Sequence, residues 1–131
     1  MTTSDPAEGQ PDVSSEGTEA PFDDVITLST STGDDGVVTV TVVGEVDTFT
    51  APVLRSTLDS QLEQQPKELV IDLSGVQFLG SAGLAVLVET QKSSRAREVA
   101  LRLIATTRAV TRPLEVTGLI DLFTIADSTA R

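Results

Sequence analysis

The sequence predicts an α/β (α+β-like) domain with a mixed β-sheet of about four to five strands and helices packed mainly on one face. Two observations lead to this fold class. Short runs of branched apolar residues, typical of buried strands, alternate with longer segments that have apolar residues at helical spacing. The first two runs are joined by a turn-rich segment with no helix between them, which predicts a leading hairpin. The expected order is therefore β-β-α-β-α-β-α-β.

The composition of the 131-residue chain excludes several kinds of functional site. Cysteine and histidine are absent, so the chain lacks thiolates, disulfides, the commonest general base and the commonest transition-metal ligand. The lack of Trp and Tyr and the net charge of −11 argue against nucleic-acid binding, which rewards aromatic and basic residues. We therefore expect a protein that is not an enzyme, with no metal, no cofactor and no direct nucleic-acid partner.

Charge and composition divide the chain into a tail and a domain. Residues 1–24 carry seven acidic residues and no basic one. We expect residues 1–22 to be a disordered acidic tail, residues 23–127 the domain and residues 128–131 a C-terminal tail. No apolar run approaches the roughly 18 residues of a membrane helix, and the N-terminus does not resemble a signal peptide. A cytoplasmic protein without membrane insertion is expected.

Two strands are expected before any helix. Val25–Ser29 is the first, and the turn-rich segment Thr30–Gly36 joins it to Val37–Val43, which has the strongest strand signal in the chain. Gly44–Asp47 is expected to end the second strand.

The first helix is predicted to begin after Thr50, the expected N-cap residue. Pro52 lies in its first turn, where a missing N–H costs nothing, and the helix should stop before Pro66. Its buried stripe is expected to contain Leu54, Leu58 and Leu62.

The segment Leu69–Glu89 predicts a strand, a glycine-containing loop and a helix. Leu69–Leu73 is short and rich in branched residues, as in strands buried on both faces. Gly75 and Gly80 lie in the expected loop, and Ser81 occupies the expected N-cap position. The N–H groups at such a helix start favour an anion. Residues that share one helix face follow at Leu84, Leu87, Val88 and Gln91.

The last helix can be capped by Thr106 or Thr107 and should end at Gly118, a residue suited to the position after a helix. Because Pro113 is unfavourable inside a helix, we expect a short helix that starts late, near Thr111. Two further apolar runs, one on each side of this helix, are expected to form strands: Val99–Ile104 and Leu122–Ala126.

Two segments resemble the STAS domain of bacterial anti-sigma factor antagonists. Gly44–Asp47, followed by Thr50-Ala51, is similar to that family's G-E-(L/I/V)-D…T-A at the end of the second strand. Val70–Leu84 is similar to its (V/L)-(I/V)-D-(L/F)-S-x-(V/L)-x-(F/Y)-(L/M/I)-D-S-(S/T)-G-L. Leu114–Leu119 is a weaker match. The resemblance extends over roughly Asp24–Ala126 and implies a STAS fold.

The resemblance also implies a partner switch in transcription regulation. Such an antagonist binds a kinase-type anti-sigma factor and thereby releases a sigma factor. Phosphorylation of the second hydroxyl residue in D-S-(S/T)-G breaks the complex, because a phosphate adds nearly two charges to the contact surface. Here Gly80 stands at the acidic position and Ala82 at the acceptor position, and alanine cannot accept a phosphate.

The family pattern places the partner-binding surface at the two matched turns. Ser81 is the remaining hydroxyl of the second turn, and we favour a helix N-cap worth about 1 kcal/mol over a displaced phosphorylation site. Gly83 is expected to permit close packing or close approach of a partner. The expected partner-binding residues are Gly44, Glu45, Asp47, Thr50, Gly75, Gly80, Ser81, Ala82 and Gly83.

Two alternatives stay open at this point. A STAS subunit of a lipid-transporting ABC system, which binds its ATPase, would also fit Ala82, since such subunits need no phosphoserine. The second concerns the basic residues of the second half of the domain. A solvated face is the ordinary explanation for them, and a group that docks the acidic tail is the alternative: Arg95, Arg97, Arg102, Arg108 and Arg112.

Overall fold

A computed structural model describes residues 26–126, and within them the chain forms five strands and three α-helices. The tails predicted at residues 1–22 and 128–131 lie outside this range. The observed order of strands and helices matches the prediction. The elements are β1 (Thr27–Thr32), β2 (Val37–Val46), α1 (Ala51–Glu63), β3 (Glu68–Leu79), α2 (Ser81–Ala96), β4 (Ala100–Ile104), α3 (Arg108–Val116), a 3-10 turn (Leu119–Leu122) and β5 (Thr124–Ala126).

The five strands form one mixed sheet in the order β1-β2-β3-β4-β5. β1 is antiparallel to β2, and the other neighbouring strands are parallel. The segments that follow β2, β3 and β4 therefore lie at one end of the sheet, here called the turn end. Thr27 pairs with Val43 near the end of β2, so β1 begins at the turn end.

The hairpin between β1 and β2 lies at the opposite end. The Gly33 amide donates to the Val37 carbonyl (2.9 Å), and the Gly36 amide donates to the Gly33 carbonyl (3.2 Å). The turn residues Asp34 and Asp35 are exposed. The predicted hairpin is confirmed, with β1 extending closer to the turn than expected.

One face of the sheet carries the core, and all three helices contribute to it. Leu54, Leu58 and Leu62 of α1 are buried, as their spacing predicted. Val110 and Leu114 of α3 join the same cluster. The sheet supplies alternate residues of three strands: Val38, Val40 and Val42; Leu69, Ile71 and Leu73; Leu101 and Leu103. The residues between them point to the opposite face, so the helices cover mainly one face.

The loop predicted after Leu73 is wrong, because β3 continues to Leu79. Its second half pairs with β2, with Val43 opposite Gly75. The register shifts twice along this pairing, and at each shift β3 has one residue more than β2, as in a β-bulge. Gly75 is therefore a strand residue, and a Cβ at this position would lie 2.9 Å from Val43 Cγ2.

The late start predicted for the third helix is also wrong. α3 begins at Arg108 with Thr107 as its N-cap residue, and Pro113 lies inside it. The Thr111 amide already donates to the Thr107 carbonyl (2.9 Å), so the helix has formed before the proline removes one backbone donor. Gly118 follows the helix with a φ of +75°, as expected of a helix-terminating glycine.

Candidate functional site

The turn after β2 is closed by two side chains. The Thr50 hydroxyl donates to the Glu45 carbonyl (2.8 Å) and accepts from the Asp47 amide (2.9 Å). Asp47 Oδ1 accepts from the amides of Phe49 (2.9 Å) and Thr50 (3.0 Å). Thr50 is the N-cap residue of α1, as predicted, but its hydroxyl binds the turn instead of the helix amides.

These hydrogen bonds favour the ionised form of Asp47. The Thr50 amide, followed by the Phe49 amide and the Thr50 hydroxyl, holds the pKa of this carboxyl below its ordinary value of 3.8. Partial loss of water contact acts in the opposite direction and raises the pKa. The net lowering means that the carboxylate is more stable in the folded turn than in the unfolded chain.

The turn after β3 is held by backbone groups. The Gly80 amide donates to the Val46 carbonyl (2.9 Å), which joins this turn to the end of β2. The prediction of Ser81 as N-cap is wrong: Gly80 is the N-cap residue, and its carbonyl accepts from the Leu84 amide (3.0 Å). Ser81 is the first helical residue, it is exposed, and no side chain caps α2.

Gly83 lies beneath this turn and is buried. A Cβ at Gly83 would be 2.6 Å from both Leu79 Cδ1 and Val46 Cγ1, closer than real Cβ atoms come to other atoms. Of the two uses expected for this glycine, the geometry therefore supports close packing. Ala82, its neighbour, is partly buried against the core.

The predicted site residues meet at the turn end with one exception. The bond between Gly80 and Val46 brings the second turn next to the first, and Glu45 is paired with Phe78 of β3. Gly44 has a φ of +116°, which favours glycine, and lies at the second register shift between β2 and β3. Gly75 lies farther back, within the paired part of β3.

The sequence of this chain matches a known protein family over most of its length. The model of the STAS domain matches residues 29–131. The chain belongs to the STAS domain family. The STAS domain is also similar to an anti-sigma factor antagonist of Mycobacterium paratuberculosis of known structure, with a TM-score of 0.76 and 38% identity, covering 86% of this chain and 92% of that one.

Curated relatives of the STAS domain include antagonists from two bacteria. The anti-sigma-F factor antagonist RsfB of Mycobacterium tuberculosis is 35% identical over 88 residues, which are 67% of this chain and 71% of RsfB. An anti-sigma-B factor antagonist of Listeria monocytogenes is 37% identical over 84 residues, 64% of this chain and 74% of the relative.

Sequence reasoning missed three exposed apolar side chains near the turn end of the STAS domain. Phe49 is 87% exposed, Val53 51% and Phe78 50%. Phe49 lies in the turn after β2. Val53 lies near the start of helix α1, outside the buried stripe of that helix. The sequence did contain one signal for such a residue, because Phe49 belongs to neither a predicted helix stripe nor a predicted strand.

The arginines considered as a docking group for the acidic tail do not lie together in the STAS domain. Arg95 and Arg97 end α2 and precede β4, whereas Arg108 follows β4, so they lie at opposite ends of the sheet. Arg102, within β4, forms an ion pair with Glu68 (3.3 Å).

Two features are absent from the described part of the STAS domain. Residues 26–126 contain no group of three or more carboxylates that could hold a metal ion. Over the same residues, no helix has the length and apolar character needed to span a bilayer.

Proposed function

We propose that this STAS domain is an anti-sigma factor antagonist, which binds a kinase-type anti-sigma factor and so releases a sigma factor. The observation that carries the proposal is the similarity to proteins of this name, at 35–38% identity over most of their length. Regulation of transcription would then follow from protein binding alone, with the domain acting in the cytoplasm.

The binding surface in this proposal is the turn end. It contains Glu45 at the end of β2, Asp47 of the first turn, and Gly80 and Ser81 of the second. Thr50, also expected at this surface, is buried and contributes by holding the first turn in place. Gly44, Ala82 and Gly83 shape the backbone behind these turns, and Gly75 gives Val43 room on the neighbouring strand. Glu45 and Asp47 are unsuited to paired acid–base chemistry, because the Asp47 carboxylate is engaged by two backbone amides.

Regulation in this proposal does not depend on a phosphate at position 82. Ala82 has no acceptor oxygen and is partly buried. Ser81 is exposed and free of the capping role that had favoured a purely structural interpretation. A phosphate on Ser81 would stand at the N-terminus of α2, where backbone N–H groups favour an anion, and would bring nearly two negative charges to the surface.

The test is an affinity pull-down from the native cytosol with the full chain as bait, with and without ATP, followed by mass spectrometry. Recovery of a kinase-like anti-sigma factor supports the proposal. Recovery of a transporter ATPase instead would replace it with the ABC-subunit alternative. Intact-mass analysis after incubation with the recovered kinase and ATP then asks whether Ser81 gains a phosphate; an unchanged mass excludes that modification.

A further inference from the structure

Phe49 is the most exposed large apolar side chain among the described residues, at 87%. It does not belong to the core cluster, so the fold itself gains little from a phenylalanine here. Val53 and Phe78, about half exposed, lie near the same end of the sheet. Large aromatic side chains that the core does not use are enriched at the centres of protein interfaces.

The backbone that carries Phe49 is held in place by the first turn. Its amide donates to Asp47 Oδ1 (2.9 Å), and the next residue, Thr50, is bonded to both Asp47 and Glu45. A partner that binds Phe49 would therefore order one side chain and little backbone. Such preorganisation lowers the entropic cost of association.

The surroundings of Phe49 are acidic. Glu45 and Asp47 lie within four residues of it, and the nearest basic residue along the chain, Arg55, is ion-paired with Glu89. Elsewhere in the sequence, residues 1–24 carry seven further carboxylates and no base. A complementary partner surface would combine an apolar pocket with a basic border.

We infer that Phe49 is the anchor of the antagonist's interface, and that its protein partner presents an apolar pocket bordered by Lys and Arg. This inference rests on the proposed function. It adds two things to that function: the residue that contributes most of the affinity, and the chemistry of the partner surface that binds this residue. An aromatic anchor buried at the centre of an interface dominates binding, while charges at its rim mainly set the rate of association.

The test compares Phe49→Ala with Val116→Ala in binding to the purified anti-sigma factor from the pull-down. Val116 is 72% exposed near the C-terminal end of α3, which leads away from the turn end, so the control removes a comparably exposed apolar side chain elsewhere. We expect Phe49→Ala to weaken the equilibrium affinity by roughly thirty-fold or more, as for interface hot spots. Val116→Ala should stay within about two-fold of the wild type.

Equal affinities for the two variants would overturn the anchor while leaving the proposed function in place. Both variants should keep the wild-type unfolding midpoint, since neither side chain is in the core; Phe49→Leu, which retains an apolar side chain, should recover part of the affinity. A wild-type chain that binds no anti-sigma factor would remove the proposed function and the inference with it.

The basic border is tested separately through the association rate. With Asp and Glu of residues 1–24 changed to Asn and Gln at unchanged length, association should slow several-fold at low salt and little at high salt. A wild-type rate that does not change with salt would overturn the basic border.

Discussion

The two turns that meet at the turn end are neighbours with different construction. After β2, the Asp47 carboxylate and the Thr50 hydroxyl bind the backbone of their own turn. After β3, the bonds that place Gly80 are made by backbone groups, and the Ser81 side chain is left exposed. The first turn thus uses its polar side chains to hold its shape, whereas the second keeps its hydroxyl available to a partner or a modifying enzyme.

The comparison also shows where each turn derives its stability. The first turn depends on hydrogen bonds to named side chains, while the second rests on the packing of α2 against β2 and β3. Substitutions in the packed layer should therefore have the largest effects, those in the first turn intermediate effects, and those on the exposed side of the second turn the smallest.

The largest effect is expected for Leu87→Ala, which removes a fully buried side chain of α2. A core cavity of this kind lowers the free energy of unfolding by about 2–5 kcal/mol. Chemical denaturation gives the value, and Leu122→Ala, at a position that is 44% exposed, is the matched control with a much smaller loss. Similar losses at both positions would contradict the core placement of α2.

Gly83→Ala tests the packing directly under the second turn. The added Cβ would fall 2.6 Å from Leu79 Cδ1 and Val46 Cγ1, so the helix start or these side chains must shift. We expect a loss of about 1–3 kcal/mol in the free energy of unfolding, the usual cost of overpacking. Ala85→Ser, on the exposed side of the same helix, should change it by less than about 0.5 kcal/mol. A Gly83→Ala variant as stable as the wild type would show that the second turn does not need this close contact.

Asp47→Asn tests the side-chain bonds of the first turn. The variant should unfold at a lower denaturant concentration at neutral pH, with a shift smaller than that of Gly83→Ala. Glu45→Gln makes the same charge change two residues away without touching the bonds to Phe49 and Thr50. Equal shifts for the two variants would mean that the charge matters and the hydrogen bonds do not.

The pH dependence of the Asp47→Asn effect has a definite sign. Because the pKa of Asp47 is lowered in the folded state, its carboxylate stabilises the fold above the ordinary value of 3.8. That contribution is lost as the pH falls through the folded-state pKa. The difference between wild type and Asp47→Asn should therefore be constant near neutrality and shrink below pH 3.8.

The smallest effect is expected for Ser81→Ala. Since Gly80 is the N-cap residue, removal of the Ser81 hydroxyl should change the free energy of unfolding by less than about 0.5 kcal/mol. A capping serine would instead cost about 1 kcal/mol or more. Thermal or chemical unfolding of the variant separates the two results, and a loss of the larger size would restore the capping role.

Local sequence patterns were sufficient for the element types and their order. The stripe Leu54, Leu58 and Leu62 follows from helical spacing alone, and the branched residues of β2 identify a strand in any context. The resemblance to the family located both turns, because the residues that form each turn are consecutive or nearly consecutive in the chain. The close-packing use of Gly83 was one of two alternatives that the sequence left open.

The errors arose where hydrogen bonds of the folded backbone, and not residue preferences, decide the outcome. β3 continues past Leu73 because β2 is available to pair with it, which no window around Gly75 reveals. Whether α2 begins after Gly80 or after Ser81 depends on which carbonyl lies beneath the Leu84 amide. The exposure of Phe49 follows from how the first turn closes. The residue type gives no indication of it, because phenylalanine is usually buried in cores.

The position of the β1–β2 hairpin has a practical consequence. Gly33–Gly36 lies at the end of the sheet away from both turns, and Asp34 and Asp35 are open to solvent. A dye, a surface linker or an inserted domain attached there would leave Phe49 and Ser81 pointing into solution, and a longer loop costs little in closure entropy. The β1–β2 hairpin is therefore a suitable site for immobilisation, because it lies at the end of the sheet opposite to the proposed partner-binding surface.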